Sequence, residues 1–312
     1  MKVQQIFELA LKMGQAADLR GTKSVQKYLA RQKDLFDKAS KEEKRFFDKD
    51  RLVNPYADSA ILYDNKKEVK KILVGIDIDT AEILLAKELG VDLVISHHPR
   101  GKALANVPQV IDLQVEVLAG YGVPVNVAEG LFKVKISEVA RNVGSKNYNS
   151  AVDAAQLLDI NFICCHTICD NLVADFLKKQ ISKKKFEYVG DLMKLFNAIP
   201  EYEEARKMGA GPMLFSGHEN NRCGKIAITE ITGGTEGNPQ IYEKMANAGI
   251  GTIIGMHISE QHKEEAEKNH LNALIAGHMS SDSIGVNLLL DQLEKKKLEI
   301  IPCSGLIRHK RI

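Results

Sequence analysis

Between Lys70 and Ser96 the chain reads KKILVGIDI, TAEILLAKELG and VDLVIS: an apolar β-branched run, an amphipathic stretch ending in glycine, and a second apolar run. Short apolar runs bounded by turn residues read as buried strands, and the stretch between them has the spacing of a helix. A strand–helix–strand succession needs a crossover connection and cover on both faces, which predicts a largely parallel sheet. The alternation recurs downstream. VIDLQVEVLAGYG reads as helix, VPVNVAE as strand, and KISEVARNVGSKNYNSAVDAAQLLD as helix on both sides of a glycine-containing break, before the short strand NFICC. KIAITEI, GTIIGMH and LNALIAGH then read as strands alternating with the helices PQIYEKMANAG, EQHKEEAEKNH and SDSIGVNLLLDQLEKK. Residues 1 to about 50 have helical spacing, which NPYADSAILY interrupts. The fold class is α/β.

A chain of 312 residues is long enough for two domains. From about Lys178 to Arg222 the text turns polar and irregular, with GAGPMLFSG as loop and short strand, and a change of domain is expected there. We expect two α/β domains with helices packed on mostly parallel or mixed sheets. The first is discontinuous, residues 1–179 plus 266–312, and carries the site described next. The second, residues 180–265, is inserted in it.

The 43 basic and 41 acidic residues leave a formal charge of +2, and no basic tract with interleaved aromatics occurs, which argues against a nucleic-acid partner. The N-terminal MKVQQIFELALKMGQAADLRG is amphipathic and has no uninterrupted apolar core, and no run is long enough to span a bilayer. Five cysteines are an odd number in a chain too large to need disulfide staples, so a reducing, cytoplasmic location is expected.

Three predicted strands end in residues of metal-ligand type. VDLVIS runs into His97 and His98, NFICC into His166 and Asp170, and LNALIAG into His278 with Asp282 four residues on. In open α/β sheets the carboxyl edge of the strands is where ligands bind. Imidazole and carboxylate are natural donors for zinc, iron, manganese or nickel. Adjacent histidines at a strand end point in different directions, so His97 and His98 suit two ions a few ångströms apart, with Asp282 placed to bridge them. Taken singly, each residue has a bland reading: Asp170 and Asp282 as helix caps or macrodipole partners, the histidines as structural groups. Cys164, Cys165 and Cys169 lie close by, where cysteine is more often a small core residue than a zinc ligand. GGTEG before a helix reads as a tight turn, since it lacks the lysine and spacing of a P-loop. His257, Glu260 and His262 form a polar cluster that is either substrate-facing or an exposed helix start.

DLVISHHP, HTICDN and GHMSSDSIGVNLL, in this order, resemble the three signature blocks of the Nif-three-like family (NGG-interacting-factor-three-like, widely labelled GTP cyclohydrolase I type two homologues). ITGGTEG and IIGMHISEQH are similar to its later blocks, and the resemblance covers roughly residues 55 to 305. It implies two divalent ions per chain, His97 and Asp170 holding one and His98 and His278 the other. The family's bridging glutamate falls on Asp282, a departure, and His166 matches a histidine beside the site. The N-terminal helices and the stretch between His98 and Asp170 are longer than the family's, and both would reshape the mouth of the site. The resemblance further implies a homo-oligomer, a hexameric ring, and a metal-dependent hydrolase acting on a small-molecule, nucleotide-like substrate such as GTP. The catalytic group would be water activated by the ions, with His166 assisting. The other class kept open is a metal-binding regulatory or scaffold protein without turnover.

Overall fold

Residues 1–311 are described by a computed structural model, and two sheets organise them. In chain order the strands are β1 (Ser59–Tyr63), β2 (Lys71–Gly75), β3 (Leu93–Ser96), β4 (Asn161–Cys165) and β5 (Met213–Ser216). They continue as β6 (Lys225–Ile228), β7 (Ile250–Gly255), β8 (Asn272–Ile275) and β9 (Glu299–Cys303). The first sheet has the order β1-β4-β3-β2-β9 and the second β5-β8-β7-β6. Within them β2, β3, β4 and β9 run parallel, as do β6, β7 and β8. Ile72, Leu73 and Val74 of β2 are all buried, so this strand shows no alternation: helices cover both faces.

The α/β class expected from the sequence is the one observed, with differences that have physical causes. Each sheet carries one antiparallel edge strand, β1 against β4 and β5 against β8, both with a register shift. VPVNVAE is not a strand but the opening of the helix Val125–Gly144, whose N-cap is Pro124. The alternating valines imitate a strand. Yet Ala128 and Phe132, four residues apart, fall on one buried face against Ala227, Tyr242 and Ile253. The polar stretch after Lys178 holds the helices Val189–Asn197 and Pro200–Lys207. In the first of these Val189, Leu192, Met193 and Phe196 form the buried stripe. The boundary expected at residue 265 falls inside the second sheet, leaving out β8, which pairs with both β5 and β7.

Two helices position the site. One, His166–Ser182, continues directly from β4, and the other, His278–Lys295, follows β8 through Gly277, whose φ of 98° needs a glycine. They pack on each other at Gly285. A Cβ built there would lie 2.8 Å from the Cys169 carbonyl carbon and closer still to its oxygen, so the two backbones meet where only hydrogen fits. The second helix thus leaves one sheet and leads to β9 in the other. Among the described residues no helix is long and apolar enough to cross a membrane.

Candidate metal centre

Backbone pairing continues past the end of β3. The His97 N–H donates to the Gly75 carbonyl at 3.0 Å and the His98 N–H to that of Ile76 at 2.9 Å, so both adjacent imidazoles start from a fixed backbone. His97 turns into the interior and is buried, while His98 keeps some exposure. His166 and Asp170 open one helix, and His278 and Asp282 the other, each pair sharing a face at the i, i+4 spacing. Because the helices begin at the histidines, both aspartates sit in the second turn and neither is a cap.

The side chains converge. His97 Nε2 lies 3.4 Å from Asp170 Oδ1 and 3.3 Å from Asp282 Oδ1. His98 Nε2 lies 3.3 Å from Asp282 Oδ2 and 3.4 Å from His278 Nε2, which is itself 3.6 Å from Asp282 Oδ2. Asp282 therefore sits between the two histidines of β3 with one oxygen toward each. His97 Nδ1 and Nε2, Asp170 Oδ1 and both oxygens of Asp282 are buried without a hydrogen-bond partner. Leaving such groups unpaired costs about 1–3 kcal/mol each. Two donors roughly 2.1 Å from one ion can lie at most about 4.2 Å apart, and every separation above is shorter. The cluster has the composition, burial and spacing to hold a metal ion.

Its electrostatics divide the donors. Burial pushes the Asp170 carboxyl well above the usual carboxylate range. Burial opposes ionisation of Asp282 too, but His97, His98 and His278 around it hold its carboxyl far below that range. Burial also lowers His97 and brings His278 down to about 4, favouring the neutral rings that ligate metals. His98 is instead raised to about 9, since Asp282 and Asp77 together outweigh its burial.

Two carboxylates that the sequence reading passed over stand behind the cluster. Asp77 Oδ1 is 2.8 Å from His98 Nδ1, and Asp58 Oδ2 is 2.7 Å from His166 Nδ1. An acidic residue inside an apolar strand extension, as in GIDI, was the available signal for Asp77. Asp58, in NPYADSAILY, offered none.

A cleft of about 360 Å³ opens over the cluster, with His98, His166, Asp170 and His278 in its lining. Helix Val125–Gly144 supplies a wall through Lys135, Val139 and Asn142, so the long stretch between His98 and Asp170 does shape the mouth. The loop after β6 supplies Thr232, Gly234 and Thr235. Gly233 and Gly234, at φ 92° and 85°, let this loop double back, and the buried Glu230 pins it by accepting from the Gly237 N–H and the Tyr242 hydroxyl. Of the cluster after β7, His257 lines the cleft with Nδ1 3.2 Å from Glu236 Oε1. Burial opposes ionisation of Glu236, yet His257 and His262 hold its carboxyl down at about 2. His262 is buried between Ser259 and the Gly237 carbonyl, where it ties the loop, and Glu260 is exposed. Cys164, Cys165 and Cys169 are buried free thiols, Cys164 donating to the Asp58 and His97 carbonyls.

An α/β scaffold with a histidine–aspartate cluster at the carboxyl ends of its strands is the class of protein these observations define. A family model, Duf34/NIF3 (NGG1p interacting factor 3), matches residues 51–103, which contain His97 and His98. The crystal structure of a NIF3 superfamily protein from Sphaerobacter thermophilus is similar end to end. It is 25% identical, with 98% of this chain and 99% of that chain covered and a TM-score of 0.80. Reduced HcgD from Methanocaldococcus jannaschii shares the fold at 18% identity, 84% and 94% coverage and a TM-score of 0.50. No curated protein matches the chain in sequence. Together the family model and the end-to-end likeness support a Nif-three-like family for this chain, as its three motifs implied.

Proposed function

We propose that this protein is a dinuclear metal-dependent hydrolase of a small, nucleotide-like molecule. The observation that carries this reading is a pair of three-donor groups, His97/Asp170/Asp282 and His98/His278/Asp282, that share one buried carboxylate and reach a cleft through His98, Asp170 and His278. Two divalent ions held there would lower the pKa of water and polarise the bond attacked. The cleft volume falls in the range of small-molecule sites, roughly 300–1,000 Å³. A scaffold that only stores metal needs no such space, so the cleft favours turnover over the regulatory alternative.

The chain's own residues supply the rest. Asp77 and Asp58 fix the rings of His98 and His166 through their Nδ1 atoms. His257 donates its Nδ1 proton to Glu236, and although burial lowers its basicity, that carboxylate raises it on balance. This leaves Nε2 of His257 as the atom that delivers a proton to a leaving group in the cleft. Pro99, Leu104, Val107, Val139 and Met256 give the substrate an apolar surface and displace water. The hexameric ring implied by the family resemblance belongs to this reading.

The test is turnover of GTP, other nucleotides and phosphodiesters with manganese, zinc or iron, beside a His98→Ala control. Turnover lost in the control supports the hydrolase. No substrate turned over above the control would sink it and leave the metal-binding scaffold.

A further inference from the structure

We infer that His166 is a sixth donor to the metal centre and that Asp58 is the carboxylate that aims it; this rests on the metal-centre reading above.

The family resemblance leaves His166 beside the site, but the structure treats it as it treats His98. In both, an aspartate takes the Nδ1 side of the ring. Asp77 does so for His98 at 2.8 Å and Asp58 for His166 at 2.7 Å. A carboxylate that also accepts from the Thr167 hydroxyl at 2.7 Å can only accept, so the His166 Nδ1 carries the proton and Nε2 keeps its lone pair. Asp58 has no exposed surface and Thr167 none, so this ring orientation is built into the core rather than chosen by solvent. Carboxylate–histidine–metal arms of this form orient ligands and raise their basicity.

The free Nε2 faces the cluster. It lies 3.9 Å from Asp170 Oδ2, while Asp170 Oδ1 is 3.4 Å from His97 Nε2, so Asp170 is flanked by one imidazole on each oxygen. At 3.9 Å the contact is too long for a hydrogen bond but within the span of two donors on one ion. His97, His98 and His166 each offer a nitrogen within 4.8 Å of the others, so the third ring reaches the same small volume. Without His166 each side has three donors, counting the shared Asp282 on both. With it, the His97/Asp170 side gains a fourth, so that ion would be the more fully enclosed of the two.

The experiment is a cobalt(II) and zinc titration of the full chain, wild type beside His166→Ala and His166→Gln, read by metal content, affinity and the cobalt d–d absorption. We expect the wild type to bind. His166→Ala should lose about 100-fold in affinity for one of its ions, shift the cobalt bands, and recover the wild-type spectrum with added imidazole. Asp58→Asn should weaken the same ion about 10–100-fold. Wild-type affinity and spectrum in both His166 variants would overturn this inference alone. A wild type that binds no metal after reconstitution would overturn the metal-centre reading and this inference with it. Far-ultraviolet circular dichroism identifies any variant that fails to fold, and the Gln variant then decides.

Discussion

Replacing Gly285 by alanine tests how the centre is built without touching any donor. Gly285 lies three residues after Asp282, and the carbonyl it faces belongs to Cys169, which immediately precedes Asp170. The new Cβ would fall 2.8 Å from the Cys169 carbonyl carbon and 3.3 Å from its Cβ. Carbon atoms pack at about 3.5–4.0 Å, so the two helices must part by roughly 1 Å. Alanine returns about 1 kcal/mol of helix propensity. Overpacking a core costs about 1–3 kcal/mol, and a backbone neighbour that cannot change rotamer puts this contact at the upper end. The net expectation is a loss of about 1–2 kcal/mol in urea unfolding with chelator present. The larger effect falls on metal. Donors must be held within about 0.5 Å, and parting Asp170 from Asp282 should lower ion affinity about 10–100-fold. A variant as stable as the wild type with unchanged zinc affinity would refute the argument, because propensity would then have acted alone and the helices would not be in contact there.

Other predictions bear on neighbouring features. With its ring raised to about 9, His98 carries a proton at pH 7 that a metal must displace. Zinc titration in weak buffer should therefore release at least one proton, and affinity should rise with pH up to about 9 and then flatten; zinc uptake at pH 7 without acidification would contradict the assignment. Tyr242→Phe removes a hydroxyl that donates to the buried Glu230 at 3.0 Å, and should cost about 1–3 kcal/mol by chemical denaturation. Arg311→Leu strips both guanidinium contacts from Glu201, which has no exposed surface, and should cost about 3–5 kcal/mol, largely recovered by adding Glu201→Gln. Light scattering that gives a single chain mass would remove the ring from the proposed function.

Much of the site was legible because its donors stand where regular structure puts them. His97 and His98 end an apolar strand, and the His166/Asp170 and His278/Asp282 pairs have helical spacing, so strand ends and i, i+4 steps suffice to bring them together. Asp58 was not legible, because its meaning depends on a contact 108 positions away, and for Asp77 the acidic residue in GIDI was a signal without a partner, which lies 21 positions on. The wall of the cleft was misread for a different reason. In VPVNVAE the local alternation favours a strand, and the burial of Ala128 and Phe132 against the second sheet decides for a helix. The edge strand β1 was missed because it is short and only partly buried, so its pattern is weak, whereas β5 falls in the GAGPMLFSG stretch read as loop and short strand.

His98 and His278 meet across 180 residues of chain. Closing a loop of that length costs about 4–5 kcal/mol of chain entropy. The helix His278–Lys295, which carries the chain from β8 in one sheet to β9 in the other, offsets that cost through packing and through buried hydrogen bonds of Ser281 with Tyr202 and of Asn287 with Glu201. An ion gripped by residues from both ends of that loop would act as a removable rivet. With it in place the two sheets would be coupled more tightly than by the helix contact at Gly285 alone, and chelation should lower the cost of parting them. Metal supply in the cell would then govern the lifetime of the folded chain as well as its chemistry.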